Sequence, residues 1–214
     1  MDKKVTELVF VIDRSGSMSG LESDTIGGFN STIEKQREEG GEAYVTTVLF
    51  DTSFDTIHDR IKLSEVKKMT RKDYRVGGGT ALLDALGDTI KHIKNIHKYA
   101  RPEDVPAKTV FVIITDGMEN SSHKYGSNEI KSIITDMQKK QDWEFIFLGA
   151  NIDAVEVAKG YGIDENHSVK YFSDATGTTA AWAGITSCLC NISMGNKCDG
   201  NWKKVIEKDL KKRK

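Results

Sequence analysis

The chain is 214 residues long, with 31 basic and 32 acidic residues, a net charge of −1 and 38% hydrophobic residues. That length suits one α/β domain with a proper core. The near-cancelling charge points away from nucleic acid and membrane surfaces as partners, and no apolar run approaches the roughly 20 residues that cross a bilayer.

In chain order, Val9-Phe10-Val11-Ile12 reads as a strand buried on both faces, and it ends in a carboxylate, Asp13. Arg14, Ser15, Gly16 and Ser17 follow, so Asp13, Ser15 and Ser17 form an oxygen-only set at the carboxyl end of a buried strand, where open α/β sheets hold ligands. The same residue types also cap helices. Ser19 with Glu22 has the spacing of a capping pair ahead of Ile26, Phe29 and Ile33, which leaves Asp13, Ser15 and Ser17 without a capping task. On this stretch alone, metal site and structural loop both remain open.

Ala43–Phe50 is a β-branched and aromatic strand. Phe54–Ile61 alternates and follows too closely for a parallel crossover, so it forms an antiparallel hairpin at a sheet edge. After a polar stretch, Gly77-Gly78-Gly79 leads to Thr80, and Leu82, Leu83, Leu86, Ile90, Ile93 and Ile96 fall at helical spacing. Thr80 has a second open role as a helix N-cap.

Thr109–Ile114 is another continuous buried strand, ending in Thr115-Asp116-Gly117. A helix over Asn128–Lys139 turns Ile130, Ile133, Ile134 and Met137 inward. Trp143–Leu148 is a fifth strand. Asp153 and Glu156 then cap a short helix that stops near Gly160 and Gly162. Ser168–Phe172 is a sixth strand, followed by a helix carrying Ala180, Ala183, Leu189 and Ile192. The alternation predicts an α/β fold: a Rossmann-like, doubly wound, mostly parallel six-stranded sheet with one antiparallel edge strand and helices on both faces. Residues 1–192 form this domain, and 193–214 form a Lys-rich extension ending in Lys211-Lys212-Arg213-Lys214, read as a solvated terminus or helix end.

Met1-Asp2-Lys3-Lys4-Val5 leads into the first strand without the apolar segment of a signal peptide. Cys188, Cys190 and Cys198 are odd in number and clustered late, which is not a disulfide framework. Buried free thiols on a core helix account for Cys188 or Cys190, and three thiols without a histidine at ligand spacing are an incomplete zinc set. A reducing cytoplasm is the expected location.

The first and fourth strands both end in aspartate, and if the sheet reverses its winding between them, Asp13 and Asp116 sit side by side with Thr80 on the same rim. The series Asp13-x-Ser15-x-Ser17, then Thr80 after glycines, then Asp116 in Thr-Asp-Gly resembles the von Willebrand factor type A domain, over roughly residues 5–192. The resemblance implies a six-stranded sheet with its third strand antiparallel at an edge. It also implies a metal-ion-dependent adhesion site holding Mg2+, or Mn2+ or Ca2+. Ser15, Ser17 and Thr80 would supply hydroxyl ligands, and Asp13 and Asp116 would coordinate directly or through water. The implied partner is a protein that offers a Glu or Asp to the metal, with the chain acting as scaffold or regulator in a multi-protein complex.

The rival reading is a metal-dependent hydrolase or phosphotransferase. Position 15 holds serine where an aspartyl phosphotransferase wants a second carboxylate, and Gly77–Gly79 lacks the lysine and preceding strand of a phosphate loop. Ser15 and Ser17 have no histidine at a committing distance in sequence, and only His123 is expected near the rim. A non-enzymatic binding module is therefore expected. Glu119, Asn120, Asn151 and Asp153 follow strand ends and are expected to form the rim that selects a partner.

Overall fold

Apolar residues that run without alternation must be covered on both sides, and β1 (Thr6–Asp13) shows how. Leu8, Phe10 and Ile12 pack into one buried layer, while Val9 and Val11 pack into the other. β4 (Lys108–Thr115) and β5 (Glu144–Ala150) divide in the same way. With β2 (Ala43–Phe50), β3 (Phe54–Lys62) and β6 (Ser168–Tyr171) they form one six-stranded sheet in the order β3-β2-β1-β4-β5-β6. β3 runs antiparallel to β2 at one edge and every other pairing is parallel. The computed structural model describes residues 5–39 and 41–213. Residues 1–4, read above as a lead into the first strand, and Lys214 of the basic terminus lie outside them.

Helices α1 (Glu22–Glu38) and α5 (Ala175–Ser193) cover one face through Phe29, Ile33, Trp182, Ile185 and Leu189. The opposite face is covered by α2 (Leu82–Tyr99), α3 (Ser127–Gln141) and α4 (Ala154–Gly160). Winding changes direction between β1 and β4, so the crevice at the carboxyl ends of those two strands is where such a sheet opens to a ligand. Among the described residues, no helix is long and apolar enough to cross a membrane.

Two local expectations need correction. Ser19 does not cap α1: Leu21 holds the N-cap position without a side-chain bond, and Ser19 closes a 3-10 turn over Gly16–Met18. The chain then reverses through Gly20 at φ +89°, and Glu22 reaches back to accept the Gly20 N–H. Only the backbone turn decides which residue stands at the helix start. Second, the cysteines do pair. Cys188 and Cys198 form a disulfide with Cα atoms 5.4 Å apart, leaving Cys190 free and buried. An odd count excludes full pairing but not one bridge. The Lys-rich end, read as a solvated terminus or helix end, is a helix end: α6 (Lys204–Lys212) carries Lys211 and Lys212 in its last turn and buries Ile206 on α5, with Trp202 just ahead of it.

Candidate functional site

The first strand ends with Asp13 fully buried, and its carboxylate is taken up locally. Oδ1 accepts the Ser15 N–H at 2.7 Å and Oδ2 accepts the Thr115 hydroxyl at 2.6 Å. The second bond follows from register: Ile12 lies opposite Ile114, so one step further brings Asp13 beside Thr115. Beyond it, the Ser15 and Ser17 hydroxyls are 3.1 Å apart, and Ser17 Oγ donates to Asp116 Oδ1 at 2.6 Å. The Ser173 hydroxyl donates to the other oxygen of Asp116 at 3.0 Å.

Thr80 arrives by a loop that only glycine can build. Gly78 has φ +70°, and a Cβ there would lie 2.6 Å from Thr52 Oγ1; a Cβ on Gly79 would lie 2.2 Å from Ser121 Oγ. Gly77 N–H donates to the Arg14 carbonyl, and the Gly78 carbonyl accepts from Gly16 N–H. Thr80 itself is pinned by Asn120, whose side-chain oxygen accepts the Thr80 N–H at 2.9 Å. Helix capping is not its task, because Ala81 is the N-cap of α2 and the first amides go to Glu119 and Ser122. A Cβ placed on Gly117 would lie 3.4 Å from both Ser17 Oγ and Thr80 Oγ1, so these two hydroxyls flank one point. The structure thus brings together all five residues singled out from the sequence, Asp13, Ser15, Ser17, Thr80 and Asp116.

The charge at this point is unbalanced. Asp13 and Asp116 are both buried, and burial first, then the neighbouring Asp116, pushes the Asp13 carboxyl up against the pull of its Ser15 and Thr115 bonds. Burial also raises the phenols of Tyr74 and Tyr171, which stay neutral beside the two carboxylates. Arg14, the cation nearest in sequence, turns away to pair with Asp51 at 2.8 Å and Asp55 at 2.6 Å, where it holds the β2–β3 turn. Among the described residues no basic side chain pairs with Asp13 or Asp116. Buried carboxylates in that condition are costly unless they take up a proton or a cation. The donors are all hard oxygens, which suit Mg2+, Mn2+ or Ca2+. No cluster of three or more His, Cys, Asp or Glu that could hold a metal occurs among the described residues, so a cation here would rest on hydroxyls as much as on carboxylates.

The expected rim is partly structural. Glu119 accepts the Leu83 N–H and the Ser122 hydroxyl, Asn120 clamps Thr80, and Asp153 caps α4 through the Glu156 N–H. His123 gives its backbone N–H to Asp84 on α2, while the Ser15 and Ser17 hydroxyls engage each other and Asp116. Thr115, Tyr74 and Ser173 were not singled out from the sequence. Thr115 sat in plain view beside Asp116; Ser173 had the weaker signal of a hydroxyl just past a strand end.

Comparison with known proteins agrees with this fold. The model of the von Willebrand factor type A domain family matches residues 7–178. A point mutant of the PilB minor pilin from Streptococcus sanguinis superposes with a TM-score of 0.59 at 12% identity, over 90% of this chain and 63% of that one. Proximal thread matrix protein 1 from the mussel byssus gives 0.56 at 14%, over 87% and 46%. A von Willebrand factor type A protein from Catenulispora acidiphila gives 0.57 at 13%, over 90% and 43%. This chain therefore spans between 43% and 63% of the length of these structures, and at such identities they show the fold alone. Among curated proteins, none matches the chain by sequence.

Proposed function

Because the chain belongs to the von Willebrand factor type A domain family, whose members commonly mediate protein–protein interactions, we propose that it is a metal-dependent binding module that grips an acidic residue of a protein partner. The observation that carries this reading is the neighbouring pair of buried carboxylates, Asp13 and Asp116, set among hydroxyls with no basic side chain among the described residues paired to either. Asp13, Ser15, Ser17, Thr80 and Asp116 would hold Mg2+, or Mn2+ or Ca2+ in its place. A divalent ion bound there supplies positive charge at the end of the sheet, to which a partner's Glu or Asp is drawn.

The chain's own residues keep that charge from being quenched. Ser15, Ser17 and Thr80 are neutral donors. Asp13 shares its oxygens with the Ser15 N–H and the Thr115 hydroxyl, which draw off part of its negative charge. Gly77–Gly79 and Asn120 fix Thr80 so that little reorganisation is needed on binding. A module of this kind fits a scaffold or regulator within a multi-protein complex, and a cytoplasmic setting remains our proposal.

The test is a thermal melt and a calorimetric titration with Mg2+ and Mn2+, each repeated in chelator. At one hundred times the dissociation constant, binding to the native state adds about 2.7 kcal/mol, or about 5–10 °C for a domain of this size. Partner capture should then need the metal. A melt indifferent to millimolar metal, or a partner held equally well in chelator, would refute the reading.

A further inference from the structure

Resting on the metal reading above, we propose that Ser173 is a positioning residue of the site, which holds the Asp116 carboxylate in the orientation that metal binding requires. Asp116 is gripped at both oxygens: Ser17 Oγ donates to Oδ1 at 2.6 Å and Ser173 Oγ donates to Oδ2 at 3.0 Å. Rotating the carboxylate breaks one of these bonds. Each carboxylate oxygen can accept about two hydrogen bonds, so Ser173 orients Asp116 without exhausting it. Ser17 cannot do this alone, because it is itself one of the candidate ligands and leaves Oδ2 free to swing.

Ser173 is well placed for such work because its own turn is rigid. It lies between the end of β6 at Tyr171 and the start of α5 at Ala175. The next residue, Asp174, gives its N–H to the Phe172 carbonyl at 2.9 Å and caps α5 by accepting the Gly177 N–H at 2.8 Å. Gly177 packs so closely that a Cβ would stand 2.1 Å from the Phe172 carbonyl oxygen. From the far end of the chain, Arg213 pairs with Asp174 and lies 5.0 Å over the Phe172 ring. A fourth segment, 57 residues beyond Asp116, thereby closes the site. Groups that hydrogen-bond a metal-ligating carboxylate set its geometry, and losing one costs about 10–100-fold in metal affinity.

The test compares Ser173→Ala, Ser173→Thr and Ser17→Ala with the unaltered protein, by calorimetric titration with Mn2+ and by melting in chelator. Ser173→Ala should weaken Mn2+ binding by about tenfold, with melting in chelator within about 2 °C of the unaltered protein. Ser173→Thr should restore the affinity. If Ser173→Ala binds Mn2+ as the unaltered protein does while Ser17→Ala does not, the Ser173 role fails and the metal reading stands. If Ser173→Ala melts early in chelator and Ser173→Thr rescues neither property, Ser173 is merely structural and the proposal is overturned. If the unaltered protein takes up no Mn2+, both readings fall together.

Discussion

Ser17 and Asp116 stand 99 residues apart in the chain and 2.6 Å apart in space, joined by a hydrogen bond from hydroxyl to carboxylate. That bond spans the crevice where the sheet reverses its winding, so the β1 and β4 loops close over the same point. It brings one hydroxyl to a carboxylate with which no basic side chain among the described residues pairs. The arrangement favours binding over stability, and each of the following outcomes draws on that division or on the scaffold beneath it.

Asp13→Asn should stabilise the metal-free protein while destroying metal binding. The substitution removes one of two facing buried charges and keeps an oxygen for the Ser15 N–H. The expected gain in chelator is about 1 kcal/mol, or about 2–4 °C. Mn2+ titration of the same variant should show a loss of at least about tenfold. A variant that melts lower in chelator would mean that the Asp13 charge is compensated by something other than a metal.

Gly28→Ala should destabilise the fold although alanine is the better helix former. At Gly28 on α1, a Cβ would lie 2.2 Å from the indole ring of Trp182 on α5. Helix propensity favours alanine by about 1 kcal/mol, and forcing the ring aside costs about 1–3 kcal/mol. The net loss should appear as a lower urea midpoint, with a changed near-ultraviolet signal from Trp182.

Asp84 should make the domain acid-sensitive. Burial would raise its carboxyl, but the N–H groups of His123, Lys124 and Tyr125 donate to it at 2.9, 2.9 and 3.0 Å and hold it below the usual aspartate range. A depressed carboxyl contributes stability that is fully present above the unfolded value of about 4 and lost as pH falls through the folded one. Asp84→Asn should therefore cost about 1–3 kcal/mol at pH 7, and the gap should narrow by pH 3 in urea titrations at both values. An equal gap at both pH values would show that the Asp84 charge is irrelevant.

Cys198→Ser should lower stability without touching the site. The bridge to Cys188 joins positions 10 apart and ties the segment before α6 to α5. Loop closure of that length contributes about 2–3 kcal/mol. The urea midpoint should fall, and Mn2+ affinity should stay that of the unaltered protein.

Strand existence and strand direction were legible because each rests on a local rule. Continuous apolar runs such as Val9–Ile12 and Val110–Ile114 have no polar side to expose, so they must be central and parallel. The short link between Phe50 and Phe54 permits only an antiparallel hairpin. Helix starts were less legible. Asp153 caps α4 as expected, yet Ser19 caps no α-helix start and Glu119 caps α2 from another loop. A cap needs backbone geometry as well as a residue type, and Gly20 at φ +89° turns the chain away from Ser19.

Residue types and spacing by themselves marked Asp13, Ser15, Ser17, Thr80 and Asp116 as lying just past strand ends or ahead of a helix, and the resemblance to the von Willebrand factor type A domain gathered them at one end of a doubly wound sheet. Only the tertiary structure decided what surrounds them. Ser173 comes to Asp116 from beyond β6, Asn120 comes to Thr80 from the β4 loop, and Arg14 leaves its neighbours for Asp51 and Asp55. It also paired Cys188 with Cys198 and laid Trp202 and Ile206 into the core. These are contacts between distant segments, set by how helices and loops pack once the sheet exists. No periodicity along the chain records them, because a hydroxyl or a thiol reads the same whether its partner is water or a residue far along the sequence.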